Sequence, residues 1–132
     1  MEENVESRSS KVILCLTLLF FLFGCGQEKI TYQKVDANKT KELMDQGATL
    51  IDVRELVEFK DGHIPKAINI PSDEVADKVE VLFQKSEPII VYCRSGSRSQ
   101  MVAQTLVSMG YTHVYDLGSV DNWTLTELQE ER

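Results

Sequence analysis

"PIIVYCRSGSRSQMVAQTLVSMG", Pro88–Gly110, holds the reading on which the fold turns. Ile89–Tyr92 is a compact apolar run, suited to a strand buried on both faces. Cys93-Arg94-Ser95-Gly96-Ser97-Arg98 follows at once, polar and built from small residues. From Ser99 to Met109 the apolar residues return at helical spacing. Val102, Ala103, Leu106 and Met109 fall on one stripe, and Gly110 marks its end. A strand therefore passes through a short loop into a helix.

The same alternation extends to both sides. Ile30–Val35 reads as a first strand, and Asp36 as the cap of a helix that stops at Gly47. "TLIDV", Thr49–Val53, is β-branched and apolar, a second strand. "ELVEFKDG" has room for one or two helical turns before Gly62, and "AINI", Ala67–Ile70, is a strand closed by Pro71. Ser72 is expected to cap a helix whose buried face carries Val75, Val79, Leu82 and Phe83. "THVYDL", Thr112–Leu117, is the last strand; Gly118 turns the chain into an expected final helix carrying Trp123. Strands alternating with helices predict an α/β domain with a mainly parallel sheet and helices on both faces. Ligands in such folds sit beyond the carboxyl ends of the strands, where Cys93 lies.

The 132 residues fit one domain. The expected division is a leader over 1–24, a tether over 25–30 and the folded domain over 31–132. Val12–Phe23 is apolar except for Thr17. At about 1.5 Å per residue it is too short to span a bilayer comfortably, but it has the length of a signal-peptide core. Arg8 and Lys11 precede it, and "LFGC" at its end resembles a bacterial lipobox with Cys25 as the lipidated residue. The expectation is an extracytoplasmic protein held to a bacterial cell membrane by lipid on Cys25, with an uncleaved N-terminal anchor as the other reading. A net charge of −7 argues against a nucleic-acid-binding role. Nothing in the sequence points to an obligate assembly, so a monomer is expected.

Cleavage would remove Cys15 and lipidation would consume Cys25, leaving Cys93 as the one free thiol of the mature domain. A buried, inert cysteine would be followed by apolar residues; here polar and basic ones follow. A thiol is a nucleophile only as thiolate. Arg94 and Arg98 supply positive charge, and the following helix supplies its N-terminal dipole and unpaired amides. Gly96 with Ser95, Ser97 and Ser99 lets backbone N–H groups curl around a central anion. Such a cradle suits a bound anion or the outer sulfur of a persulfide. Ser99 has a second reading as the helix cap. Two histidines and one free thiol, scattered, do not make a metal site, and no cofactor fingerprint is present.

"LIDVRELVEFKDGHIPKAINIPSDEV", Leu50–Val75, followed by Pro88–Trp123 resembles a rhodanese (sulfurtransferase) domain. The "DVR" strand end, the "GHI" segment, the cysteine loop and the tryptophan occur in the family's order, from about Lys34 to Trp123. The resemblance implies a five-stranded parallel α/β fold and a Cys93 persulfide intermediate. It implies a small anionic sulfur donor such as thiosulfate, and a thiol or cyanide as acceptor. Arg94 and Arg98 would bind the donor, and the amides of Arg94–Ser99 would hold the sulfur. Asp52 and Arg54 would support the loop by ion pairing, with an ordinary structural bridge as the other reading. Glu58 reads as a structural or exposed carboxylate, His63 as a backbone-bonded histidine, His113 as a surface residue and Trp123 as a packing anchor. One departure is Ser119, where the family often has a second glycine after Gly118. The rivals are a persulfide-holding module without turnover, and a phosphatase or arsenate reductase. The latter needs a wider loop than the four residues between Cys93 and Arg98.

Overall fold

In a computed structural model that describes residues 31–125, the apolar run at Ile89 becomes the middle strand of a five-stranded sheet. The strands are β1 (Gln33–Lys34), β2 (Thr49–Asp52), β3 (Ile68–Asn69), β4 (Ile89–Cys93) and β5 (Val114–Ser119). They lie in the order β1-β5-β4-β2-β3, and every pairing is parallel. The helices are α1 (Ala37–Asp45), α2 (Leu56–Asp61), α3 (Val75–Leu82) and α4 (Ser97–Ser108). The expected leader, Cys25, the tether and the chain beyond residue 125 lie outside the described residues.

Strand alternation sorts the core into two layers. Ile51, Val53, Ile89, Val91 and Cys93 face α3 and α4, packing on Val75, Val79, Val102, Ala103 and Leu106. Leu50, Ile90, Tyr92 and Leu117 face α1 and α2, packing on Leu43, Phe59, Ile64 and Trp123. All of β4 is buried, which is why its sequence runs apolar without alternation. Cys93 is the last residue of that strand, not the first residue after it.

Asp36 caps α1 as expected, its carboxylate accepting the Lys39 N–H at 2.8 Å. Other expectations shift. Ser72 does not cap α3: its N–H is drawn to the Val53 carbonyl at 3.1 Å, and a turn intervenes before the helix begins after Glu74. The buried stripe of α3 is Val75 and Val79; Phe83, just past the helix, is half-buried against the same core, and Leu82 lies on the flank, 56% exposed. After Gly118 the chain stays extended through Ser119 and then makes one 3₁₀ turn, Val120–Asn122. Trp123 follows that turn in extended backbone and is buried in the α1/α2 layer, so it anchors packing without being on a helix.

Tyr92 ties the two ends of the molecule's middle together. Its buried hydroxyl accepts the Ile64 N–H at 3.1 Å. Burial, reinforced by the nearby Asp52 carboxylate, pushes its phenol above the ordinary tyrosine value. The unfolded chain ionises near pH 10 while folded Tyr92 keeps its proton, so stability falls above that pH by up to about 1.4 kcal/mol per unit. Tyr92→Phe is expected to lose about 1–3 kcal/mol at neutral pH, because the Ile64 N–H is left without its acceptor. It should also lose part of the alkaline decline. Urea unfolding followed from pH 7 to pH 11 measures both.

Candidate active site

Gly96 is the N-cap of α4 and has no side chain with which to cap it. Its φ of +93° is a left-handed conformation open to glycine, and it turns the chain from the end of β4 into the helix. The Cys93 sulfur takes the missing role. Sγ accepts the Gly96 N–H at 3.1 Å and the Ser99 N–H at 3.4 Å. Ser99 is the third helical residue, whose amide an N-cap side chain normally satisfies. Ser99 is thus inside the helix and not its cap. It is fully buried, and its hydroxyl donates to the Gly96 carbonyl at 3.1 Å.

Cys93 itself has 0% exposure. The polar residues after it do not prevent burial, because Arg94, Ser95 and Ser97 point to solvent while Cys93 turns down into the layer beneath α4. The sulfur therefore has apolar side chains below it and amides above. A donor cannot reach an atom with no accessible surface unless loop residues move.

The two loop arginines are not free cations. Arg98 makes a bidentate pair with Glu58, Nη1 to Oε2 at 2.9 Å and Nη2 to Oε1 at 3.1 Å. Arg94 is more exposed, its side chain at 67%, with Nε 3.8 Å from the same carboxylate. The Arg98 hydrogen bond holds the Glu58 carboxyl below the usual carboxylate range; partial burial opposes this and the Glu55 N–H assists. The Glu58 pair in turn raises Arg98. Glu58 also completes a reciprocal cap at the start of α2 by accepting the Glu55 N–H at 3.1 Å. It is thus a fixed clasp between α2 and the cysteine loop, where the sequence suggested only a structural or exposed carboxylate.

Asp52 and Arg54 form a wholly buried pair, Nη2 to Oδ2 at 2.6 Å, and a second Arg54 Nη2 contact reaches the Gly62 carbonyl at 2.7 Å. Burial alone would pull Arg54 down, but the Asp52 contact outweighs it and the guanidinium is raised. The side-chain hydrogen bonds of this pair tie Asp52 to Arg54 and Arg54 to Gly62, with the guanidinium 5.7 Å from the Tyr92 ring centre, which fits the structural bridge. It fixes the backbone from which α2 presents Glu58. His63 bonds the Phe59 carbonyl through Nδ1 at 2.9 Å and stacks on the Phe59 ring at 3.7 Å, and His113 is exposed. Two clefts flank the loop. One of about 560 Å³ is lined by Ser95, Gly96, Ser97, Gln100, Ser119 and Asn122 among others. The other, of about 210 Å³, has Arg54, Glu58, Asp61, Arg94 and Asp121 on its walls.

Of the residues expected at the site, Cys93, Gly96 and Ser99 meet at the sulfur, while Arg94 and Arg98 meet at Glu58. Ser95 and Ser97 line the larger cleft, and Asp52 with Arg54 stands behind α2. Sequence reasoning missed the Glu58 clasp. Parallel β2 and β4 are neighbours, so the segments leaving their carboxyl ends lie side by side, and that adjacency was the available signal.

Known proteins bear on this arrangement. The rhodanese-like domain model matches residues 36–126. The thiosulfate sulfurtransferase GlpE of Pseudomonas syringae pv. syringae is 31% identical over 100 residues, covering 75% of this chain and 93% of that protein. The Alr3790 protein of Anabaena sp. superposes with a TM-score of 0.68 at 26% identity, over 74% of this chain and 80% of that one. A rhodanese with anions from E. coli gives 0.56 at 30% identity, over 64% and 99%.

Glu58→Gln tests the clasp. Glu58 titrates lower in the folded protein than in the unfolded chain, so its stabilisation is present above the ordinary glutamate value and lost as pH falls through the lowered one. With both partners partly solvated, the variant is expected to be about 0.5–1 kcal/mol less stable at pH 7. The difference from the native protein should shrink as pH falls from the ordinary glutamate value, about 4.3, through the lowered one, as measured by denaturant unfolding across that range.

Proposed function

The chain belongs to the rhodanese-like domain family, and from that premise we propose that it is a sulfurtransferase working through a persulfide on Cys93. The observation that carries the reading is the convergence of the Gly96 and Ser99 N–H groups on Cys93 Sγ. Hydrogen bonds to an ionised acceptor are about twice as strong as neutral ones, so the same two amides favour thiolate over thiol. The thiosulfate sulfurtransferase name of the Pseudomonas syringae relative supports thiosulfate as one donor.

The reaction is a two-step displacement. The Cys93 thiolate attacks the outer sulfur of thiosulfate; the new Sγ–S bond forms as the old S–S bond breaks, and sulfite leaves with the bonding pair. An acceptor, cyanide or a thiolate, then attacks that outer sulfur and returns Cys93 to thiolate. Arg94, with most of its side chain in solvent, draws the anionic donor to the loop. Arg98 is partly neutralised by Glu58, so it contributes less to attraction than its charge suggests. Because Cys93 is covered, each step includes a displacement of the loop. That closure also favours a second reading, a module that keeps a persulfide without passing it on. The sequence from Val12 to Cys25 supports tethering to a membrane through lipid on Cys25.

Intact-protein mass spectrometry after thiosulfate treatment, beside a thiosulfate:cyanide assay, tests the reading. The native protein is expected to gain one sulfur, about 32 Da, and to form thiocyanate, while Cys93→Ser does neither. A mass gain without thiocyanate would identify the holding module, and no gain would end the persulfide reading. The mass of protein taken from membranes also reports whether residues 1–24 are removed and Cys25 acylated.

A further inference from the structure

β5 carries one residue more than β4 at the active-site end. Val91 pairs with Asp116 but Tyr92 pairs with Gly118, so Leu117 is the extra residue. Asn122 Nδ2 donates to the displaced Leu117 carbonyl at 2.7 Å, and the Asp116 carboxylate accepts the Gly118 N–H at 2.9 Å. The bulge advances the register by one and brings Ser119 alongside Cys93.

The Ser119 hydroxyl then reaches past the cysteine to the next residue. It accepts the Asp121 N–H at 3.1 Å and donates to the Arg94 carbonyl at 2.6 Å. The Arg94–Ser95 peptide is trans, so its C=O and N–H point in opposite directions. Holding the carbonyl against β5 fixes the orientation of the Arg94–Ser95 peptide, the unit that precedes the Ser95–Gly96 peptide carrying the Gly96 N–H. If the Arg94–Ser95 peptide turned over, Ser95 would turn with it, and the next peptide would lose the orientation that aims the Gly96 N–H at Sγ.

We propose that Ser119 is a positioning residue: its hydroxyl pins the Arg94 carbonyl to the end of β5 and keeps the Gly96 and Ser99 amides aimed at Cys93 and at the sulfur it carries. The second half of this statement rests on the persulfide reading above. A glycine at 119 would leave the Arg94 carbonyl without this side-chain donor. Ser119 also caps the 3₁₀ turn at Val120, a structural role that must be separated from the positioning one.

Ser119→Ala and Ser119→Thr separate them, each examined for melting temperature, the pH profile of Cys93 alkylation by iodoacetamide, and persulfide lifetime. Ser119→Ala is expected to slow alkylation at pH 7 about three- to tenfold and to shorten the persulfide lifetime by a similar factor. Ser119→Thr keeps the hydroxyl and should restore both. An alanine variant that only melts earlier, or that matches the native protein in profile and lifetime, would overturn the positioning role. The alkylation profile needs no sulfur donor. It therefore judges Ser119 even if no persulfide forms, an outcome that would count against the persulfide reading alone.

Discussion

A sulfur atom caps a helix in this protein. Helix α4 begins at a residue without a side chain, and the amides at its start find their acceptor in Cys93 Sγ, at the end of the preceding strand. The helix needs an acceptor there because its first N–H groups have no partner within the helix. The sulfur gains two N–H donors from the same contact. In the sulfurtransferase proposed above, structural need and chemical activation would be one interaction. The loop can be short because the strand delivers the acceptor, and the helix can start in a left-handed glycine because no side-chain cap is needed.

The surrounding charges serve this arrangement from a distance. The buried Asp52–Arg54 pair fixes the backbone after β2, that backbone sets α2, and α2 presents Glu58 to Arg98. A buried ion pair is an expensive way to gain stability, since desolvation opposes much of its attraction. Its value here is geometric: it makes the position of Glu58 depend on rigid elements. On the opposite side, Ser119 holds the loop from β5. Arg94 is left as the more exposed cation at the mouth.

The fold was legible in the sequence because its signals are local. The apolar run of β4, the Val102–Leu106 stripe and the Asp36 cap each declare themselves within a dozen residues. Features that depend on which strands become neighbours were not legible. The Glu58–Arg98 pair spans 40 residues and exists because β2 lies beside β4. The burial of Cys93 contradicted its polar followers because strand parity, not the nature of the next residues, decides where the side chain points. Ser72 was expected to cap the helix without a full capping box; its backbone instead bonds Val53, and the helix starts after Glu74. The bulge at Leu117, which places Ser119, left no mark beyond a serine where the family often has glycine.

The most direct measurement is the amide proton shift of each loop residue, followed by ¹H–¹⁵N NMR as Cys93 titrates. If the helix-start amides hold the sulfur, Gly96 and Ser99 move downfield together with thiol ionisation, and this transition disappears in Cys93→Ala. If those two signals stay still while the thiol titrates, or move equally in the alanine variant, the sulfur is not their acceptor and the cradle does not exist.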